Sequence, residues 1–265
     1  MHPYLVQTDS LTIRWESVLI IIGIILAFSL AWRLAKPKGE AYRDALLDLC
    51  FWLIPAGVIG ARLWEVLWTW KNYKAQPLQV FAVWDGGLSI QGALLLGGLA
   101  AVLFARRRGL RVWELLDLLA PAALVGQAIG RIGCFLSGDS WGKPVEAVTW
   151  WPQSLGVVYA ANSPAASIHG WTPLIPAELM EAGADVVILG LLLIAWQGRR
   201  RPGQITLAYA AAYSLARFGL EFLRDDSLMF GPFKVAQVLS AVIMLVAIPL
   251  FLRRGAVAAK AGVAG

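Results

Sequence analysis

Seven apolar stretches, each near the roughly 20 residues an α-helix needs to cross hydrocarbon, govern what this chain can become. They run over roughly 17–35, 46–69, 87–105, 113–136, 176–197, 204–223 and 234–252. Hydrophobic residues make up 58% of the 265 and charged residues only 15%, so a water-soluble surface is out of reach. The sequence predicts an all-α, polytopic membrane protein of seven transmembrane helices, with residues 1–265 forming a single membrane domain. The net charge of +6 does not point to nucleic acid, because the basic residues sit in short links between apolar runs. The first run follows a polar tail and is too long for the apolar core of a cleavable signal, so it is expected to remain as a span.

Basic residues orient the spans. Links after the odd-numbered spans, with the C-terminal tail, carry fourteen Lys and Arg, among them Arg33, Lys36, Arg106, Arg107, Arg108, Arg199, Arg200 and Arg201. The opposite side has six: Arg14, Lys71, Lys74, Lys143, Arg224 and Lys234. Positive charge is retained on the cytoplasmic side, which places the N-terminus outside and the C-terminus in the cytoplasm. The polar, proline-interrupted stretch 137–175 between spans four and five then becomes an extracytoplasmic cap. Its Trp141, Trp150, Trp151 and Trp171 suit a membrane interface.

Three further arginines, Arg62, Arg131 and Arg217, fall inside spans two, four and six, each in the outer half. Acids and amides gather at the same depth: Glu16, Glu65, Gln91, Asp139, Glu178, Glu181, Asp185, Glu221, Gln237 and Ser240. The Arg62/Glu65 and Arg217/Glu221 spacings put each pair on one helix face. Ionisable groups do not face lipid, so these residues are expected to line a shared polar cavity opening outward. Span four carries the densest signal, GQAIGRIGCFLSGDSWGK over residues 126–143. There Gly126, Gly130 and Gly133 leave one face bare enough for another backbone or a ligand to approach.

Guanidinium groups grip phosphate oxygens in pairs and keep their charge when partly desolvated, and the commonest anion at this depth is a lipid phosphate. A site in one leaflet favours lipid binding or interfacial catalysis over solute transport, which would place polar groups on both halves or at the midplane. His2 and His169 lie outside the spans, so neither a metal centre, another cofactor nor a Ser–His triad is expected. Cys50 and Cys134 are expected near opposite faces, too far apart to bridge. Glu16, Asp139, Glu181 and Glu221 remain as alternative bases.

The segment beginning Gly130-Arg131 resembles the signature of the bacterial prolipoprotein diacylglyceryl transferases. The likeness continues through Ile13-Arg-Trp15, Leu46-Leu-Asp-Leu with Gly60-Ala-Arg62, and the stretch Val83 to Gly92. It extends to Pro176-Ala-Glu-Leu-Met-Glu181, Arg217-Phe-Gly-Leu-Glu221-Phe-Leu-Arg224 and Gln237-Val-Leu-Ser240. The resemblance implies a seven-span enzyme of the bacterial inner membrane. Such enzymes move the diacylglyceryl group of phosphatidylglycerol to the lipobox cysteine of a prolipoprotein signal peptide. It implies that Arg131 and Arg217 bind the phosphate, that Asp139 and Glu221 position arginines or substrates, and that Arg62, Arg224 and Glu181 join the phosphatidylglycerol site.

Five positions depart from the family pattern, one of them Asp139, which is one methylene shorter than the family's glutamate. Gln91 stands where the family has a histidine, and Glu16 where it has a tyrosine; Cys134 and Ser137 replace asparagines. Gln91 cannot serve as a base near neutral pH. Two accounts follow: Glu16 takes over as the base, or the chain is a divergent relative that binds anionic phospholipid without this catalysis.

Overall fold

A computed structural model describes residues 4–7, 12–74, 76–83, 87–198 and 201–263. Seven long helices carry it: α1 (Trp15–Ala35), α2 (Glu40–Trp68), α3 (Ile90–Arg107), α4 (Val112–Ser137), α5 (Ala177–Trp196), α6 (Gln204–Leu220) and α7 (Val235–Val263). Each coincides with one of the seven apolar runs. Six are long and apolar enough to cross a membrane, while α6 has only 17 residues. Two short antiparallel hairpins interrupt the helical pattern, Tyr4–Gln7 with Thr12–Arg14 and Met229–Phe230 with Phe233–Lys234. Prolines Pro55, Pro121 and Pro249 sit within α2, α4 and α7, as membrane helices tolerate.

The chain divides into two compact units, Ala31–Leu119 and the remainder, Met1–Leu30 with Ala120–Gly265. In the first of these, α2 and α3 lie in backbone contact. A Cβ on Gly60 would stand 2.7 Å from the Leu96 Cβ, and one on Gly92 would collide with the Gly60 carbonyl. Only glycine permits this approach. Near the basic end, Arg43 lies 4.4 Å over the Trp32 ring and Arg107 lies 5.1 Å over that of Trp52. Lys38 pairs with Glu114 at 3.0 Å.

In the larger unit, α1 crosses α4 on the bare face expected from the sequence. A Cβ on Gly23 would rest 3.6 Å from the Gly126 Cα, and one on Gly133 3.3 Å from the Glu16 Cα. The glycines thus serve a helix rather than a ligand at these two levels. Helices α4, α5 and α6 share a core of Ala120, Leu124, Ile188, Leu192 and Ile205. The cap folds onto the chain that follows α6. Lys143 donates its amide to the Leu223 carbonyl (2.8 Å) and Asp225 to that of Trp141 (3.3 Å), while within the cap Gly142 donates to Ile175 (3.0 Å). Apolar groups fill behind these bonds, with Trp141, Tyr159, Ala165 and Leu174 in one cluster and Val145, Val148, Ile175 and Leu223 in another. This strapping sets Ser140 beside Arg224 and Asp226.

Candidate active site

The chemistry of the larger unit concentrates on Glu181, in the second turn of α5 and 5% exposed. Three guanidiniums from three places in the chain reach it. Arg131 of α4 brings Nε to 2.6 Å from Oε2, Arg224 donates Nη1 to Oε1 at 2.7 Å, and Arg217 of α6 also donates Nη1 to Oε1. A buried carboxylate is tolerable only with such compensation, and buried guanidiniums need it equally. Further carboxylates complete the balance. Glu221, one turn after Arg217, holds Oε2 at 2.8 Å from Nη2. Asp226 accepts from Arg224 at 3.0 Å (Nε) and 2.5 Å (Nη2), and from Ser140 at 3.1 Å.

Local geometry explains the convergence. The helix of α6 gives way at Glu221–Leu223 to a tighter turn, which directs Arg224 back into the protein. Lys234 closes that turn, its Nζ donating to the carbonyls of Glu221 (2.6 Å) and Arg224 (2.7 Å). Burial opposes the charge of Arg224, but Glu181 and Asp226 outweigh it and raise its pKa above the ordinary value. Burial lowers the pKa of Lys234. Both Nη groups of Arg131 have no partner among the described residues, and its side chain is 14% exposed. A planar fork with four N–H groups to spare suits an incoming anion.

The structure brings Arg131, Arg217, Arg224, Glu181 and Glu221 together, as expected of one site. Arg224, counted among the outer-side cations and placed by the resemblance in the phosphatidylglycerol site, is buried to 6% by the turn after α6. Asp139 is exposed in the turn that follows α4. Glu16 opens α1, half-buried, with its backbone against Gly133. Cys50 and Cys134 are both free thiols. Arg62 and Gln91 belong to the other unit. There Arg62 is buried and donates to the backbone carbonyls of Gln79 (2.5 Å), Val80 (2.9 Å) and Gly87 (3.2 Å). Gln91, half-buried at the start of α3, accepts from the Ser89 hydroxyl at 2.5 Å. Trp84, Asp85 and Gly86 of the span-three motif lie outside the described residues, as do His2, Arg199 and Arg200.

Asp226 and Ser140 had gone unread. The signal for both is closeness in sequence, since Ser140 follows Asp139 and Asp226 lies two residues after Arg224. Glu178, expected among the polar groups of the outer half, takes its partner from the cap. It is fully buried, and the Tyr159 hydroxyl from the cap stands 2.8 and 2.9 Å from its two oxygens.

Several lipid-length helices around a buried, carboxylate-balanced arginine centre define a polytopic membrane protein equipped to handle an anion. The chain belongs to the prolipoprotein diacylglyceryl transferase family, whose profile matches residues 3–253. A phosphatidylglycerol–prolipoprotein diacylglyceryl transferase of Gloeobacter violaceus is 39% identical over 253 residues, covering 94% of this chain and 91% of the relative. The namesake of Trichormus variabilis is 36% identical over 244 residues, 90% of this chain and 84% of its own. That of Streptococcus suis is 32% identical over 259 residues, 96% and 92% respectively.

Proposed function

We propose that this protein transfers the diacylglyceryl group of phosphatidylglycerol to the lipobox cysteine thiol of a prolipoprotein, at the outer leaflet of the bacterial inner membrane. The observation that carries the reading is the convergence of Arg131, Arg217 and Arg224 on Glu181, with the Arg131 fork left open. The donor phosphate binds that fork and Arg217. The acceptor thiol attacks the glyceryl carbon, so a C–S bond forms as the C–O bond to phosphate breaks. Glycerol phosphate leaves with the bonding electrons, and the guanidiniums stabilise the charge it gains. The thiol proton passes to a base, which we assign to Glu16 on the helix packed against α4. Glu221 holds Arg217 and Asp226 holds Arg224, while exposed Asp139 meets the substrates at the entrance. The nucleophile belongs to the acceptor, which leaves Cys134 as an apolar filler.

The distribution of basic residues supports seven crossings with the N-terminus outside. Helix α6 spans about 26 Å at 1.5 Å per residue, and the turn Glu221–Leu223 extends it toward the thickness of the hydrocarbon core. Expression in a strain depleted of its own transferase tests the function. Restored growth, with a phosphatidylglycerol-dependent mass increase on a lipobox peptide, is expected. Good membrane expression with neither result would overturn the reading and leave a lipid-binding relative, the alternative that Gln91 favours.

A further inference from the structure

Asp185 lies one turn beyond Glu181 on α5 and is 3% exposed, yet it has no hydrogen-bond partner among the described residues. Buried polar groups are nearly always paired, so a carboxylate left over in this way calls for an occupant. Asp185 lines a narrow recess with Glu181, Arg217 and Tyr213, where Ala184 and Ala216 leave the room. The Tyr213 ring stacks on Tyr209, with centroids 5.7 Å apart at 23°. The Tyr209 hydroxyl is engaged by Gln127 at 3.2 Å, whereas that of Tyr213 has no partner among the described residues. The recess therefore offers one carboxyl group and one phenol beside a guanidinium already assigned to phosphate.

That donor set discriminates by chemistry. An apolar group would leave both Asp185 oxygens unpaired, and a second anion would be repelled whenever that carboxyl is ionised. An alcohol satisfies both, since its O–H donates to Asp185 and its oxygen accepts from Tyr213. Resting on the reading of phosphatidylglycerol as donor, we propose that Asp185 and Tyr213 receive a hydroxyl of the headgroup glycerol beyond the phosphate. They thereby select this lipid over phosphodiesters without an alcohol.

The test uses purified full-length protein, a lipobox peptide and two donors in mixed micelles, phosphatidylglycerol and phosphatidyl-n-propanol, which lacks both headgroup hydroxyls. Wild-type protein is expected to prefer phosphatidylglycerol by about ten- to a hundredfold in kcat/KM. Asp185→Ala removes most of that preference by slowing phosphatidylglycerol alone, and Asp185→Asn, which keeps an acceptor carbonyl, retains part of it. Equal use of both lipids by wild type, or a parallel loss on both in the variants, overturns the proposal. If Asp185→Ala does not fold, Tyr213→Phe, which keeps the ring stack, is read by the same ratio. A wild type that transfers neither lipid contradicts the transferase reading instead. Binding to vesicles of each lipid, wild type against Asp185→Asn, then decides the headgroup claim by whether the preference is present and falls.

Discussion

Glu181 is the counter-charge shared by three guanidiniums, which makes it the residue on which the centre depends. Glu181→Gln leaves Arg131 buried without its carboxylate, and a loss of about 3–5 kcal/mol is expected, measured by unfolding in detergent. Arg131→Ala or Arg217→Ala is expected to lower phosphatidylglycerol-dependent transfer at least ~100-fold while the protein still folds. Near wild-type turnover in either would remove that arginine from the mechanism. Glu16→Gln is expected to abolish the acidic limb of the pH–rate profile; full activity at every pH would disqualify Glu16 as the base. The Arg217–Glu221 pair was legible in the sequence because four-residue spacing on a helix fixes its geometry in advance. Glu181 as a hub was not, since its partners come from α4, from α6 and from the chain after the turn that follows α6, and only packing brings them together. The role of Arg62 was equally hidden, because backbone carbonyls carry no residue type that a sequence could display.

At the level of elements, all seven helices could be read from their apolar runs, and in six the length and apolarity are those that crossing a bilayer requires. The cap could be placed but not folded, since its hold on the rest is made by main-chain bonds and by side-chain pairs that join distant parts of the chain, among them Ser140 with Asp226 and Tyr159 with Glu178. Tyr159→Phe leaves Glu178 fully buried without that hydroxyl, at a cost of about 1–3 kcal/mol. The expected result is faster chymotryptic cleavage within the cap. Burial first, and then Glu178, raise the pKa of the Tyr159 phenol. Its native value therefore lies above the unfolded one of about 10, so its contribution is intact below that pH. It is lost only as pH rises through the raised native value. The difference in cleavage between wild type and Tyr159→Phe should thus persist at neutral pH and shrink only in strong alkali.

For the molecule as a whole, the testable quantity is its orientation. In a Cys50→Ala, Cys134→Ala background, Ser154→Cys in the cap is expected to react with a membrane-impermeant maleimide on intact spheroplasts. Arg107→Cys, at the end of α3, should react only after permeabilisation. The reverse pattern would invert the topology and move the arginine centre to the wrong leaflet for an exported acceptor. A lipid-consuming enzyme must also admit a donor with two acyl tails, and the Gly60–Gly92 crossing bears on the route. Where two backbones touch, no tail can slip between them, so the seam between α2 and α3 is a shut door at that height. Gly60→Leu would wedge it open, and traffic of hydrocarbon through the wall of that unit would gain a path that two glycines now keep sealed.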